Sequence, residues 1–203
     1  MNALIVTDIQ NDFLPGGALA VSQGDEVIPI ANRLQPKFDL VVATQDWHPA
    51  DHGSFASNHA GKRVGETIDL NGLPQILWPV HCVQGTRGAK FSEELSTSRI
   101  QRIFQKGLDA GIDSYSAFFD NARRKDTGLG GYLWREGVEQ VYILGLTTDY
   151  CVKFTALDAV SLGFDAYVIL DGCRGVNLRP GDVDRAVAEM RQSGVSFVRS
   201  TDF

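Results

Sequence analysis

Six short apolar, β-rich runs recur along the chain: "ALIVT" (3–7), "DLVVAT" (39–44), "RIFQK" (102–106), "QVYILGL" (140–146), "DAYVIL" (165–170) and "VSFVR" (195–199). Most lack a wet face, and a strand that is apolar on both sides needs cover on both sides, as in a parallel sheet between helical layers. Helix-like segments fall between them. The clearest is 149–162, with Asp149 or Thr148 able to cap its start, Ala156, Leu157 and Val160 on one face and Gly163 to stop it. "GDVDRAVAEMRQSG" repeats the pattern with Asp182 as cap, Val183, Ala186, Val187 and Met190 apolar, and Gly194 beyond the end. The alternation predicts right-handed βαβ crossovers and an α/β fold, a three-layer αβα sandwich with a doubly wound, mostly parallel six-stranded sheet.

One stretch breaks the pattern. From about 45 to 98 the chain is rich in Gly, Pro, His and Asn and poor in periodicity, and structureless loops of that length are usually functional. No repeat or linker interrupts the rest, so the 203 residues are read as one domain carrying a large insertion. A formal charge of −6 offers no basic stripe to nucleic acid or to acidic membranes. The opening "MNALIVTDIQNDF" has no basic leader and meets Asp8 after a short apolar run, unlike a secretory signal. Cys82, Cys151 and Cys173 are an odd number and widely spaced, which argues for reduced thiols and a cytoplasmic setting rather than a disulfide framework. Oligomeric state leaves no mark in the sequence, and a homo-oligomer is compatible with it.

In open α/β sheets ligands sit beyond the carboxyl ends of the strands. The first chemically capable side chains past the apolar runs are Asp8, then Asp46 with His48, then Lys106 and Cys151. A cysteine in the first turn of a helix feels the positive end of the dipole, and a nearby ammonium lowers its pKa further, so Lys106 would make a Cys151 thiolate available near neutral pH. Asp8 could take the thiol proton and later give it to a leaving amine. The four histidines lie elsewhere, all in the insertion. Asp46 and His48, two apart on an extended segment, project from the same side as a chelating pair must, and "WPVHC" adds His81. Carboxylate plus imidazole suits a divalent ion, zinc first, with iron or manganese as the other candidates. His52 competes for a ligand place, whereas His59 reads as loop surface. Cys82 should point away from its neighbour His81 on an extended segment, and Cys173 is read as packing.

Five separated segments carry a resemblance: "DIQNDFLPGGAL", "TQDWHPADHGSFASNH", "LPQILWPVHCVQGT", "QKGLDAGIDSYSAFFDN" and "GLTTDYCVKFTALDA". In order and spacing they are similar to bacterial nicotinamidases of the isochorismatase-like cysteine hydrolase superfamily. The resemblance implies a catalytic Asp8, Lys106 and Cys151, metal ligands Asp46, His48 and His81, and His52 where some members use an additional ligand. It also implies a cis peptide at Leu146-Thr147, an oxyanion hole from the Thr147 and Cys151 backbone N–H groups, and aromatic walls at Phe13 and Trp78, with Tyr115 as a third. The implied reaction is hydrolysis of nicotinamide to nicotinate and ammonia, in NAD salvage, with activity on pyrazinamide. A nearer rival is another hydrolase of the superfamily, N-carbamoylsarcosine amidase-like or isochorismatase-like, but such relatives generally lack the Asp-Trp-His segment present here in "QDWHPADH". A farther rival is a noncatalytic metal-binding protein of the same fold, against which stands the complete triad.

Overall fold

The computed structural model describes residues 1–203. The six apolar runs become β1 (Asn2–Thr7), β2 (Leu40–Asp46), β5 (Arg102–Lys106), β6 (Gln140–Leu146), β7 (Asp165–Arg174) and β8 (Ser196–Val198), joined in one sheet. Every pairing in that sheet is parallel, in the order β5-β2-β1-β6-β7-β8. Counting those six alone, the order is 3-2-1-4-5-6, which reverses direction between β1 and β6. Strands β1 and β2 are almost wholly buried, as their lack of a polar face requires.

Helices α1 (Val27–Leu34), α2 (Leu129–Arg135), α3 (Lys153–Ser161) and α4 (Asp182–Gln192) fill the crossovers. Val27, Ile28, Ala31 and Leu34 of α1 enter the same core as Leu129 and Leu133 of α2 and Ala156 and Ala159 of α3. That is the three-layer α/β arrangement expected from the alternation. No helix is long and apolar enough to cross a membrane.

Both expected helix caps are corrected. Residues Thr148–Val152 form a π-helical turn ahead of α3, entered from an extended Thr147 with no side-chain cap. The Asp149 carboxylate instead accepts from the backbone N–H groups of Val176 (3.0 Å) and Asn177 (2.7 Å), tying the loop after β7 to that turn. At α4 the boundary residue is Gly181, at φ 84°, and Asp182 is already helical. Its carboxylate reaches back to the Arg179 N–H at 2.7 Å, because the Pro180–Gly181 bend turns that donor toward it.

The insertion is less structureless than its composition suggests. It holds a hairpin, β3 (Thr67–Leu70) and β4 (Leu73–Ile76), turned by Asn71 at φ 54° and Gly72 at φ 86°. Asn-Gly is the residue pair that a two-residue hairpin turn demands. Within this insertion Gln75 is the β4 side chain that points inward.

Candidate active site

The direction of the sheet reverses between β1 and β6, and at that point two loops diverge and leave a crevice. Asp8 leaves β1 with a left-handed backbone, φ 48°. Cys151 leaves β6 on the π turn, after a cis peptide between Leu146 and Thr147. Such turns concentrate at functional sites. Gly145 permits the close approach, since a Cβ there would lie 2.1 Å from the Thr7 carbonyl oxygen. The Thr147 N–H donates to no backbone carbonyl.

Lys106, the last residue of β5, links the loops. Its ammonium is fully buried and lies 3.0 Å from Asp8 Oδ2, 3.4 Å from Cys151 Sγ and 3.1 Å from the Ser114 carbonyl oxygen, and it also contacts Asp46 Oδ1. Thr44 donates its hydroxyl to Asp8 Oδ1 at 2.7 Å, which leaves Oδ2 for the lysine and the thiol. The Asp8 and Asp46 carboxylates and Cys151 Sγ all fall within 4.8 Å of one another. Sequence spacing therefore brings acid, ammonium and thiol together from three strands.

The expected lowering of the Cys151 thiol is corrected. Burial pushes the Cys151 thiol well above its ordinary range; Lys106 pulls it down, but Asp8 and Asp46 push it up again. Burial thus opposes the thiolate that Lys106 favours. Asp8 itself is raised, by burial against the pull of Lys106, which makes it a better proton acceptor than an exposed aspartate.

Beside the thiol lies a second cluster. Asp46 ends β2, and His48 and His81 approach its Oδ2 with Nε2 at 3.6 and 3.9 Å. Each imidazole is aimed by a backbone carbonyl at its other nitrogen: Gly107 O is 2.9 Å from His48 Nδ1, and Pro79 O is 2.8 Å from His81 Nδ1. Such partners fix the tautomer that leaves Nε2 free as a ligand. Gly107 must be glycine here, at φ 67°, since a Cβ would lie 2.3 Å from the His48 ring. Burial and the neighbouring His48 push His81 down to about 4, so it is neutral and ligand-ready at pH 7. Gln10 clamps the third ligand, donating to the Asp46 carbonyl and accepting from its N–H, both at 2.8 Å. One carboxylate oxygen and two imidazole nitrogens within 4.8 Å suit a divalent ion.

His52 stands outside that trio and groups with His48 and Asp113 instead. His59, half-buried, meets the Gly53 carbonyl at 2.7 Å and takes no part. Cys82 is buried in the core, but at φ 46° its segment is not extended as expected. Cys173 packs as expected, with Sγ 3.4 Å from the Ile169 carbonyl.

The crevice above these groups is lined by Phe13, Trp78, Tyr115, Thr147 and Cys151 together with the metal-type cluster. Tyr115 receives the Trp78 indole N–H at 3.2 Å, so two of the expected walls brace each other. Sequence reasoning passes over Tyr150, whose ring lies 4.8 Å from Trp78, and over Leu19, Val176 and Asp113 in the lining. Tyr150 adjoins the cysteine on the π turn, a position that only the turn's geometry turns toward the cleft.

Residues 2–202 match the isochorismatase domain model. The chain belongs to the isochorismatase family. Within this family, it is 50% identical over 198 residues to a nicotinamidase of Acinetobacter baylyi, covering 98% of this chain and 92% of that one. A solved nicotinamidase-pyrazinamidase of Acinetobacter baumanii superposes with a TM-score of 0.96 at 49% identity, covering 99% and 97% of the two chains. A pyrazinamidase of Pyrococcus horikoshii in complex with zinc matches at a TM-score of 0.79 and 39% identity, covering 98% of each. An isochorismatase-family fold with this donor set makes a bound divalent metal plausible.

Proposed function

We propose that this chain is a nicotinamidase, hydrolysing nicotinamide to nicotinate and ammonia through a thioester on Cys151. One observation carries the reading: a buried thiol, ammonium and carboxylate adjoin a carboxylate and two imidazoles at the floor of an aromatic-lined cleft.

Phe13 and Trp78 flank the pyridine ring, with Tyr115 bracing Trp78. Asp46, His48 and His81 would hold a divalent ion, zinc by preference over iron or manganese, which would supply a Lewis acid to anchor the ring nitrogen. Asp8 takes the Cys151 proton as sulfur attacks the carboxamide carbon, and Lys106 steadies both anions from 3.0 and 3.4 Å. The N–H groups of Thr147 and Cys151 receive the developing oxyanion, where each donor is worth roughly 10²-fold or more in rate. Asp8 passes its proton to the departing amine and then draws one from the water that cleaves the thioester, restoring thiol and carboxylate. Pyrazinamide, with a ring nitrogen in the same relation to its carboxamide, fits the same site. The segment from about 45 to 98 serves as a metal-binding insertion in one hydrolase domain, and the reduced thiols suit the cytoplasm.

Purified, zinc-loaded protein is expected to release ammonia from nicotinamide in step with nicotinate; absence of both products would overturn the reading. Chelation, or His48→Ala, is expected to raise KM for nicotinamide by about 10–100-fold while unfolding the protein little. Equal kcat/KM in the stripped enzyme would remove the ring anchor from the account.

A further inference from the structure

The proposed reaction uses the Cys151 thiol but leaves unexplained the carboxylate two residues before it. Asp149 is as buried as Asp46, each 4% exposed, yet Asp46 shares Lys106 with Asp8 whereas Asp149 is held by backbone alone, the Val176 and Asn177 N–H groups at 3.0 and 2.7 Å. Successive N–H groups converge on one carboxylate because Asn177 turns through the left-handed region, at φ 52°. The loop also has to come close. A Cβ at Gly175 would lie 3.1 Å from Asp149 Oδ1 and would collide with Val183 Cγ2, so the fit needs glycine.

That loop borders the cleft. Val176 is part of its lining, as are Tyr150 and Cys151 from the π turn. Leu178 reaches the insertion, where a Cβ at Gly65 would lie 3.8 Å from Leu178 Cδ1. Gly65 in turn donates its N–H at 2.8 Å to the carbonyl of Leu77, the neighbour of Trp78. At its far end the loop is fixed to α4, since Asn177 Oδ1 accepts from the Val183 N–H at 3.2 Å and Asp182 accepts from the Arg179 N–H. Asp149 supplies both bonds that join Val176 and Asn177 to the turn carrying the nucleophile.

We propose that Asp149 is a positioning residue: by pinning residues 175–178 it holds Val176 as the wall of the cleft beside the nucleophile turn, so that the substrate is enclosed next to Cys151. The inference rests on the proposed nicotinamidase site. A carboxylate is what the two donors require, because each of its oxygens accepts one N–H. Asparagine offers a single acceptor and sets its own N–H₂ against the second donor.

Asp149→Asn tests the pin from the turn, and Gly175→Ala tests it from the loop. Loss of one charge-assisted bond shifts the loop's balance between closed and open by roughly tenfold, and KM for nicotinamide is expected to rise by about the same factor, with kcat lowered less. Both changes act on one contact, so the double variant should raise KM no further than the worse single one. Alkylation of Cys151 by iodoacetamide, located by mass spectrometry, gives a readout independent of turnover. Wild type should react slowly, with Cys151 only 5% exposed, and each variant on the order of tenfold faster, with faster amide hydrogen exchange at residues 175–178. Lower Tm with unchanged KM, alkylation and exchange would mean that the two bonds merely support the fold, and would overturn the proposal, as would effects that add in the double variant. Should Asp149→Asn fail to fold, Gly175→Ala is read by the same criteria. Wild-type ammonia release is measured alongside: its absence counts against nicotinamide as substrate, whereas alkylation and exchange report on the loop whatever the substrate.

Discussion

Cys151→Ala is expected to abolish ammonia release, lowering kcat by on the order of 10⁴-fold or more, while metal content and fold stay as they are. The separation is structural. Sulfur is 3.4 Å from Lys106, but the ammonium keeps Asp8, Asp46 and the Ser114 carbonyl when sulfur is removed, so no buried charge loses its last partner. Asp46, His48 and His81 are aimed by Gln10, Gly107 and Pro79, none of which depends on the thiol. The variant should therefore bind zinc stoichiometrically and melt within a few degrees of wild type. It should also still bind nicotinamide, since the ring's holding groups remain. Turnover surviving at more than about one part in 10² would rule out the thioester route. Lost metal together with lost activity would mean that the two clusters are mechanically linked, contrary to their separate supports.

Much of this was legible because it is written in one-dimensional pattern. Runs that mostly lack a polar face belong in a sheet covered on both sides, and all six pair in one parallel sheet, β1, β2, β6 and β7 inside it and β5 and β8 at its edges. Strand ends then locate Asp8, Asp46, Lys106 and Cys151 without knowledge of any distance. What pattern cannot carry is the competition among neighbours. Asp149 looks like a helix cap, but the N–H groups of Val176 and Asn177 capture it from 27 and 28 residues away. Lys106 beside a thiol suggests a thiolate, but burial of the sulfur outweighs the lysine, and two carboxylates that share it push the same way. The i, i+2 spacing to Asp46 favours His48 over His52 as a ligand without excluding His52; the placement of Asp46 and His81 around His48 separates them. The β3–β4 hairpin did leave a sign in Asn71-Gly72, yet that sign says nothing of Gln75 reaching back to Asp113.

Lys106→Ala should produce the largest loss of stability. In the native protein this ammonium, with no solvent exposure of its own, pairs with two carboxylates that lie within 4.8 Å of each other. Removing it leaves Asp8 buried without a cation and Asp46 with only its imidazole neighbours, a change that typically destabilises by about 3–5 kcal/mol; for a chain of this size that lowers Tm by on the order of 10 °C. The loss should depend on pH with a definite sign. Asp8 is already raised by burial even with Lys106 present; without the lysine, Asp8 and Asp46 are driven to share a proton. The folded variant then holds a proton that the unfolded chain, with ordinary carboxyls near about 4, has released. Stability of the variant relative to wild type therefore falls as pH rises from that value through the raised folded pKa, and the Tm deficit should be larger at pH 7.5 than at pH 5. Zinc should narrow it, since a divalent ion on Asp46 replaces part of the missing positive charge. Melting curves of both proteins at the two pH values, with chelator and with zinc, give all the comparisons. A deficit independent of pH and metal would show that Lys106 serves chiefly as packing, and that the electrostatic account of this site is wrong.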